Sequence, residues 1–240
     1  MRQSNFFQGL VVAGVVGLMG GCAQTKTSNV HQYSSEPQMR PDRVLVQDFS
    51  MDQGVVKSST TPLAKIENMV NGDDGKSAQN DLAKEVNDAL SDELVSHFKE
   101  LGFDAVRVSS GRKPGAGEIM VTGKFTNVDE GNAVRRTMVG FGAGQSSVDA
   151  SVTLVASEGR PLVSMKAHAD SGETPGAAVT AGVGAAAQAG TAATAAVSVA
   201  KGGARAYQSA SAHQAAEIAD KVSDEFEKYA KSQGWALKAH

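Results

Sequence analysis

Residues 147–169, SVDASVTLVASEGRPLVSMKAHA, decide the fold class of this chain. Ser147 to Ser157 places an apolar residue at every second position, and Arg160 to Ala169 repeats this alternation after the short turn SEGR. Alternation with a period of two is typical of a strand that buries one face. The stretch therefore predicts a β-hairpin in an antiparallel sheet with one buried face.

Further strands and two helices are predicted on either side of this hairpin. Glu118 to Val128 alternates in the same way, and Phe103 to Ser110 also has the pattern of a strand. Arg43 to Phe49 is a continuous apolar run, which indicates a strand buried on both faces. Ala78 to Leu101 and Ala204 to Gln233 carry apolar stripes at helical spacing, so each predicts an amphipathic helix.

This order of elements predicts an α+β domain, with a mostly antiparallel sheet of four to five strands and two helices packed on one face. We assign the domain to residues 42–172 and 204–236, interrupted by a Gly/Ala-rich insertion at 173–203. Within it, Thr174 to Ala200 has no charged residue and repeats small residues at intervals of four. Three interpretations stay open: a mobile or weakly helical surface segment, a self-association element, or a membrane-inserted helix.

The N-terminus predicts export and a lipid anchor. Arg2 is followed by an apolar run, Phe6 to Met19, that is too short to span a bilayer, and small residues then precede Cys22. An ordinary secretory signal with a coincidental cysteine is one interpretation. The stretch also resembles a bacterial lipoprotein signal, whose lipobox ends in a diacylated cysteine, with Met19 in place of the usual leucine. The resemblance implies that residues 1–21 are a signal peptide and that Cys22 is the lipidated mature N-terminus.

The residue after the cysteine adds a location to this resemblance. It is Ala23 and not Asp, which implies the periplasmic face of the outer membrane in a Gram-negative host. Residues 22–41 are polar and contain two prolines, so we predict a flexible tether that holds the domain off the bilayer. Because Cys22 is the only cysteine, the chain can form neither an internal disulfide nor a cysteine-based zinc site.

Composition argues against several classes of function. The formal net charge is -3 and aromatic residues make up 5% of the chain, which disfavours nucleic-acid partners and stacking platforms. The five histidines are scattered, Asp129 and Glu130 are interpreted as a solvated turn, and no Gly-x-Ser-x-Gly motif occurs. We therefore predict no metal, no cofactor and no enzymatic activity.

One motif combines arginines and closely spaced glycines ahead of a predicted strand. The dinucleotide-binding pattern requires a glycine where Gln145 stands and a helix after it, so a phosphate-binding loop is disfavoured. The other interpretations are a solvent-facing corner, a docking surface where glycines let a partner approach closely, and an anion contact. The residues concerned are Arg135, Arg136, Gly140, Phe141, Gly142 and Gly144.

Residues 131–155, GNAVRRTMVGFGAGQSSVDASVTLV, resemble the signature of an uncharacterised bacterial lipoprotein family, domain of unknown function 4410. The Gly-Asn pair, the arginine pair and the GFGAG run match the positions typical of that family. The order of strand, long helix and strands is also similar, over about Arg43 to Ala169 and the last helix. The family has no assigned activity, so the resemblance implies no catalytic residue.

Together these features predict an outer-membrane-anchored periplasmic lipoprotein that is a structural or interaction component of the cell envelope. Its partners would be the membrane, through the N-terminal lipid, and a second protein or further copies of itself. The element order is also similar to small periplasmic domains of envelope lipoproteins, some of which assemble into rings or serve secretion and polysaccharide export. The alternative prediction is a binding module for a small anionic ligand or glycan.

Overall fold

A single mixed sheet of eight strands is the centre of the fold. The structure is a computed structural model that describes residues 24–33, 37–52, 54–58, 76–132, 144–172, 197–200, 203–207 and 209–238. The strands of this sheet are β1 (Gln24–Gln32), β2 (Arg43–Gln47), β3 (Ser50–Met51), β4 (Val56–Lys57), β5 (Asp104–Val108), β6 (Glu118–Asp129), β7 (Ser147–Val155) and β8 (Pro161–Asp170). Their order is β1-β8-β7-β6-β2-β5, and β3 and β4 also pair with β6.

The α+β class is confirmed, but the prediction of a mostly antiparallel sheet of four to five strands is wrong. Each neighbouring pair in the order β1, β8, β7, β6 is antiparallel, whereas β2 runs parallel to both β5 and β6. The helix α1 (Lys76–Glu100) lies between β2 and β5 in the chain. It carries the chain back to the end of the sheet where β2 begins, so β5 runs parallel to β2. Val44, Leu45 and Val46 of β2 are fully buried, as their continuous apolar run predicts.

Both helices pack on the same face of the sheet, as predicted. Alternate residues of β6, β7 and β8, including Val121, Val152 and Met165, form one apolar core with α1 and with α2 (Ala210–Ser232). The opposite face carries mostly polar side chains. Its small apolar cluster of Leu45, Met120 and Val155 lies on β2, β6 and β7.

The last helix begins later than the sequence predicts. Gly203–Ala206 forms a strand, β10, that pairs with β9 (Val197–Ala200) in a separate antiparallel hairpin, and α2 starts only at Ala210. Ser209 caps the helix, because its Oγ accepts the N–H of Ala212 at 3.1 Å. Most of the Gly/Ala-rich insertion, residues 173–196, lies outside the described residues. Within the described part, neither helix is long and apolar enough to cross a bilayer.

A strand occupies the region that the sequence assigns to a flexible tether. Gln24–Gln32 pairs with β8 along its length, from Gln24 opposite Asp170 to Gln32 opposite Val163. Thr25 Oγ1 donates to Glu217 Oε2 of α2 at 2.7 Å, which ties the strand to the helical layer as well. The tether prediction is therefore wrong for this stretch, because pairing with the edge of β8 stabilises a sequence that has no apolar pattern of its own.

Candidate functional site

The predicted motif connects β6 to β7 at one end of the sheet, where other strands also begin or end. Gln24, Asp170, Ser147 and Asp129 lie side by side on β1, β8, β7 and β6, and Lys57 of β4 pairs with Asp129. We call this row the loop end. The four longest segments outside the described residues adjoin it: 1–23, 59–75, 133–143 and 173–196.

Among the predicted site residues, only Gly144 lies within the described part of the chain. It has a φ of +79°, and its carbonyl accepts the N–H of Asn132 at 3.0 Å, which closes the neck of the hairpin between β6 and β7. The remaining predicted residues, Cys22, Arg135, Arg136, Gly140, Phe141 and Gly142, lie outside the described residues. The structure therefore places the two ends of the motif but not its arginines.

Gly131 is required at the other side of this neck. Its φ is +70°, and a Cβ at this position would stand 2.4 Å from the carbonyl oxygen of Gly144 and 2.5 Å from that of Gln145. Its N–H donates to Asp129 Oδ1 at 2.8 Å. A residue without a side chain is needed here, because any other would force the two strands apart.

Glu130 links the hairpin neck to the first turn of α2. One carboxylate oxygen accepts the N–H of Ala210 at 2.8 Å and the other accepts the N–H of Ser211 at 2.9 Å. A negative charge is favourable at this position, since the first N–H groups of a helix have no partner within it and carry partial positive charge. The interpretation of Glu130 as part of a solvated turn is therefore wrong.

Gln214 of α2 provides a second link beneath the hairpin. Its side-chain amide nitrogen donates to the carbonyl oxygen of Ser146 at 3.0 Å and to Ser146 Oγ at 2.9 Å, and both residues are buried. Ser146 and Ser171 also bond to each other, since the N–H of Ser171 donates to the Ser146 carbonyl at 3.1 Å. These bonds join the start of β7, the residue after β8 and the helix into one fixed support.

His168 forms a charged network on the open face of the sheet near the same end. Its Nδ1 lies 2.8 Å from Asp149 Oδ1 and its Nε2 lies 3.0 Å from Asp170 Oδ2. Partial burial disfavours the charged imidazole, but these two carboxylates outweigh it and raise the pKa of His168 above its usual value. Burial also opposes ionisation of Asp170, yet the N–H of Gly172 and the imidazole lower the pKa of that carboxyl.

The chemistry of this arrangement favours a structural support over a reactive centre. Both ring nitrogens of His168 already face carboxylates, so neither is directed at a ligand. Within the described ranges, no group of three or more His, Cys, Asp and Glu residues could hold a metal ion. What the loop end presents is a hairpin neck held at several points by fixed hydrogen bonds.

Sequence reasoning missed the three residues that build this support. Glu130 and His168 have no local pattern that marks them, because their partners Ala210 and Asp149 are brought close only by the fold. Gln214 had a weak signal. It is a polar residue within the apolar stripe of α2, and a buried amide at such a position requires a hydrogen-bond partner.

Comparison with known proteins places the chain in a family. No curated protein matches the sequence. Among solved structures, the PelC dodecamer from Paraburkholderia phytofirmans is similar, at 11% identity and a TM-score of 0.34, over 82% of this chain and 98% of that chain. A single-residue variant of that dodecamer in a second space group gives 14% identity and a TM-score of 0.33 over the same shares.

These structural similarities are too low to carry an argument about function. The family match is firmer, because it covers residues 44–188 and so more than half of the chain. It includes the whole glycine and arginine motif, together with both strands of the hairpin that begins the sequence argument. The predicted resemblance is confirmed, and the chain belongs to the family described as Domain of unknown function (DUF4410).

Proposed function

We propose that this protein is a lipid-anchored component of the bacterial cell envelope that acts by docking and not by catalysis. The lipid would be attached to Cys22, on the periplasmic face of the outer membrane of a Gram-negative host. The docking element would be the hairpin segment from Arg135 to Gly144. Its partner would be a further copy of the chain or another envelope protein, such as a component of a secretion or export complex.

The observation that supports docking is the fixed neck of the hairpin. Glu130 and Gln214 hold its two sides to α2, and the neck closes between Asn132 and Gly144. A loop whose ends are held in place loses less conformational freedom on binding than a loop on a mobile support. Two adjacent arginines in such a loop are suited to carboxylates on a partner, because guanidinium groups bind carboxylates in a bidentate manner.

The proposal is tested by the mass of the full chain, lipidated and in mild detergent, measured by light scattering. Three variants are compared with the unaltered protein: Arg135→Ala, Arg136→Ala, and Lys113→Ala as a control at an exposed lysine between β5 and β6. We expect a discrete assembly that either arginine substitution weakens and that Lys113→Ala leaves intact. Docking is contradicted if the chain stays monomeric at high concentration and if neither arginine substitution causes a defect in cells.

The second candidate, a binding module for a small anion, is separated by a ligand screen. Melting temperature is measured with inorganic phosphate, nucleotides and acidic sugars, since a ligand that binds only the folded state raises it. An increase that is lost in both Arg135→Ala and Arg136→Ala favours anion binding. No increase with any of these compounds removes the anion candidate.

A further inference from the structure

We infer that the loop end of the sheet rests on the phospholipid headgroups of the membrane that holds the Cys22 lipid. This inference rests on the lipid anchor of the proposed function and does not depend on the docking partner. It identifies which end of the domain faces the bilayer and which faces the periplasm. The contact surface is defined by described residues: Gln24, Lys57, Asp129, Ser147 and Asp170.

The first argument is the short chain between the lipid and the sheet. Gln24, the first residue of β1, is two positions after Cys22. Two residues span at most about 7 Å even when fully extended. The headgroup layer on each side of a bilayer is roughly 5–8 Å thick. A lipidated Cys22 therefore keeps Gln24 within or next to the headgroup layer.

The second argument is that β1 has no slack. It is paired with β8 from its first residue, and Thr25 and Thr27 bond to Glu217 and Glu225 of α2. A flexible tether of the predicted length, residues 22–41, would have an average end-to-end distance of roughly 25 Å. Because the strand replaces the first half of that tether, the domain cannot move away from the surface as a tethered body would.

The third argument is the chemistry of the loop end. Its carboxylates are already matched within the protein: Asp170 by His168 and the N–H of Gly172, and Asp129 by Lys57 at 3.5 Å and the N–H of Gly131. Repulsion from anionic lipid headgroups is correspondingly weak.

The orientation is tested with two matched labels on the lipidated full chain. Lys57→Cys lies at the loop end and Glu158→Cys lies in the turn between β7 and β8 at the other end; both residues are exposed. Along β6, with 12 residues, the two ends are separated by about 36 Å. A thiol-reactive fluorophore marks only the introduced cysteine, because the sulfur of lipidated Cys22 is a thioether. The protein is placed in vesicles of phosphatidylcholine and phosphatidylglycerol that contain a lipid with a nitroxide on its headgroup.

We expect quenching of the Lys57→Cys label to be several-fold stronger than quenching of the Glu158→Cys label. Lipid attachment is measured separately, by the mass of the protein and by flotation with the vesicles. A chain that floats but shows equal quenching at both labels, or stronger quenching at Glu158→Cys, overturns the orientation and leaves the anchor standing. A chain that carries no lipid overturns the anchor and this inference with it.

Discussion

Replacing Glu130 with alanine tests whether the hairpin neck is held by the first turn of α2. The substitution removes two hydrogen bonds, of 2.8 Å to Ala210 and 2.9 Å to Ser211, and a negative charge at the positive end of the helix. Loss of a capping group costs about 0.5–2 kcal/mol, and loss of a favourable charge there costs about 0.3–1 kcal/mol. The cap from Ser209 is retained. We therefore expect a loss of about 1–2 kcal/mol in the free energy of unfolding.

The assay is urea denaturation followed by the fluorescence of Trp235, the only tryptophan, which is 7% exposed in the folded chain. For a domain of this size the expected loss lowers the melting temperature by roughly 2–8 °C. Glu130→Gln keeps one acceptor oxygen and should lose about half as much. As a control, Asp52→Ala removes an exposed carboxylate that pairs with Lys124 and should cost about 0.5 kcal/mol.

Hydrogen exchange gives the local readout of the same prediction. The amides of Gly131 and Asn132 should exchange faster in Glu130→Ala than in Asp52→Ala, because the neck loses its link to the helix. If Glu130→Ala is no less stable than the control, and exchange at these amides is unchanged, the helix does not hold the hairpin. The structural support for the docking proposal would then be lost.

Three further perturbations test other parts of the fold. The raised pKa of His168 means that its bonds stabilise the protein fully below the unfolded pKa of about 6.5 and lose this effect as pH rises through the folded pKa. The stability difference between the unaltered chain and His168→Gln should therefore shrink from pH 6 to pH 9, and a constant difference would count against the network. Gly131→Ala should cost at least about 1 kcal/mol more than Gly159→Ala, because both have positive φ but only the first meets an opposing carbonyl, at 2.4 Å. An equal loss of unfolding free energy in the two glycine variants, measured by urea denaturation, would show that the neck is not closed. Trp235→Phe removes the 2.7 Å hydrogen bond from the indole nitrogen to the Gln38 carbonyl. This substitution should lower the free energy of unfolding by about 1–2 kcal/mol, measured by circular dichroism during denaturation. An unchanged free energy would mean that this bond contributes nothing to stability.

Elements whose signal lies within a single segment were predictable from the sequence. The helix predicted at Ala78 to Leu101 is observed at Lys76–Glu100, and the strands at Glu118 to Val128 and Ser147 to Ser157 are observed within two residues of those bounds. Periodicity was sufficient here because these elements bury one regular face against the core. The family was predictable for a similar reason, since its motif is a contiguous run of residues.

Pairing between strands that are distant in the chain was not predictable from the sequence, unlike the hairpin of β7 and β8. Residues 24–32, QTKTSNVHQ, have no apolar alternation, and they form a strand only because β8 offers an unpaired edge and α2 accepts the hydroxyl of Thr25. The parallel pairing of β2 was missed although its burial on both faces was predicted. A continuous apolar run reports burial, but it does not report the direction of the neighbouring strand.

The sequence by itself determined the α+β class, the two helices on one face and the family, because each depends on local periodicity or on a contiguous motif. Only the tertiary structure decided the parallel half of the sheet and the edge position of β1. It alone also brought both ends of the segment 133–143 and the start of the segment 173–196 to one end of the sheet. These are contacts between residues such as Glu130 and Ala210, 80 positions apart, which chain folding creates and no local pattern encodes.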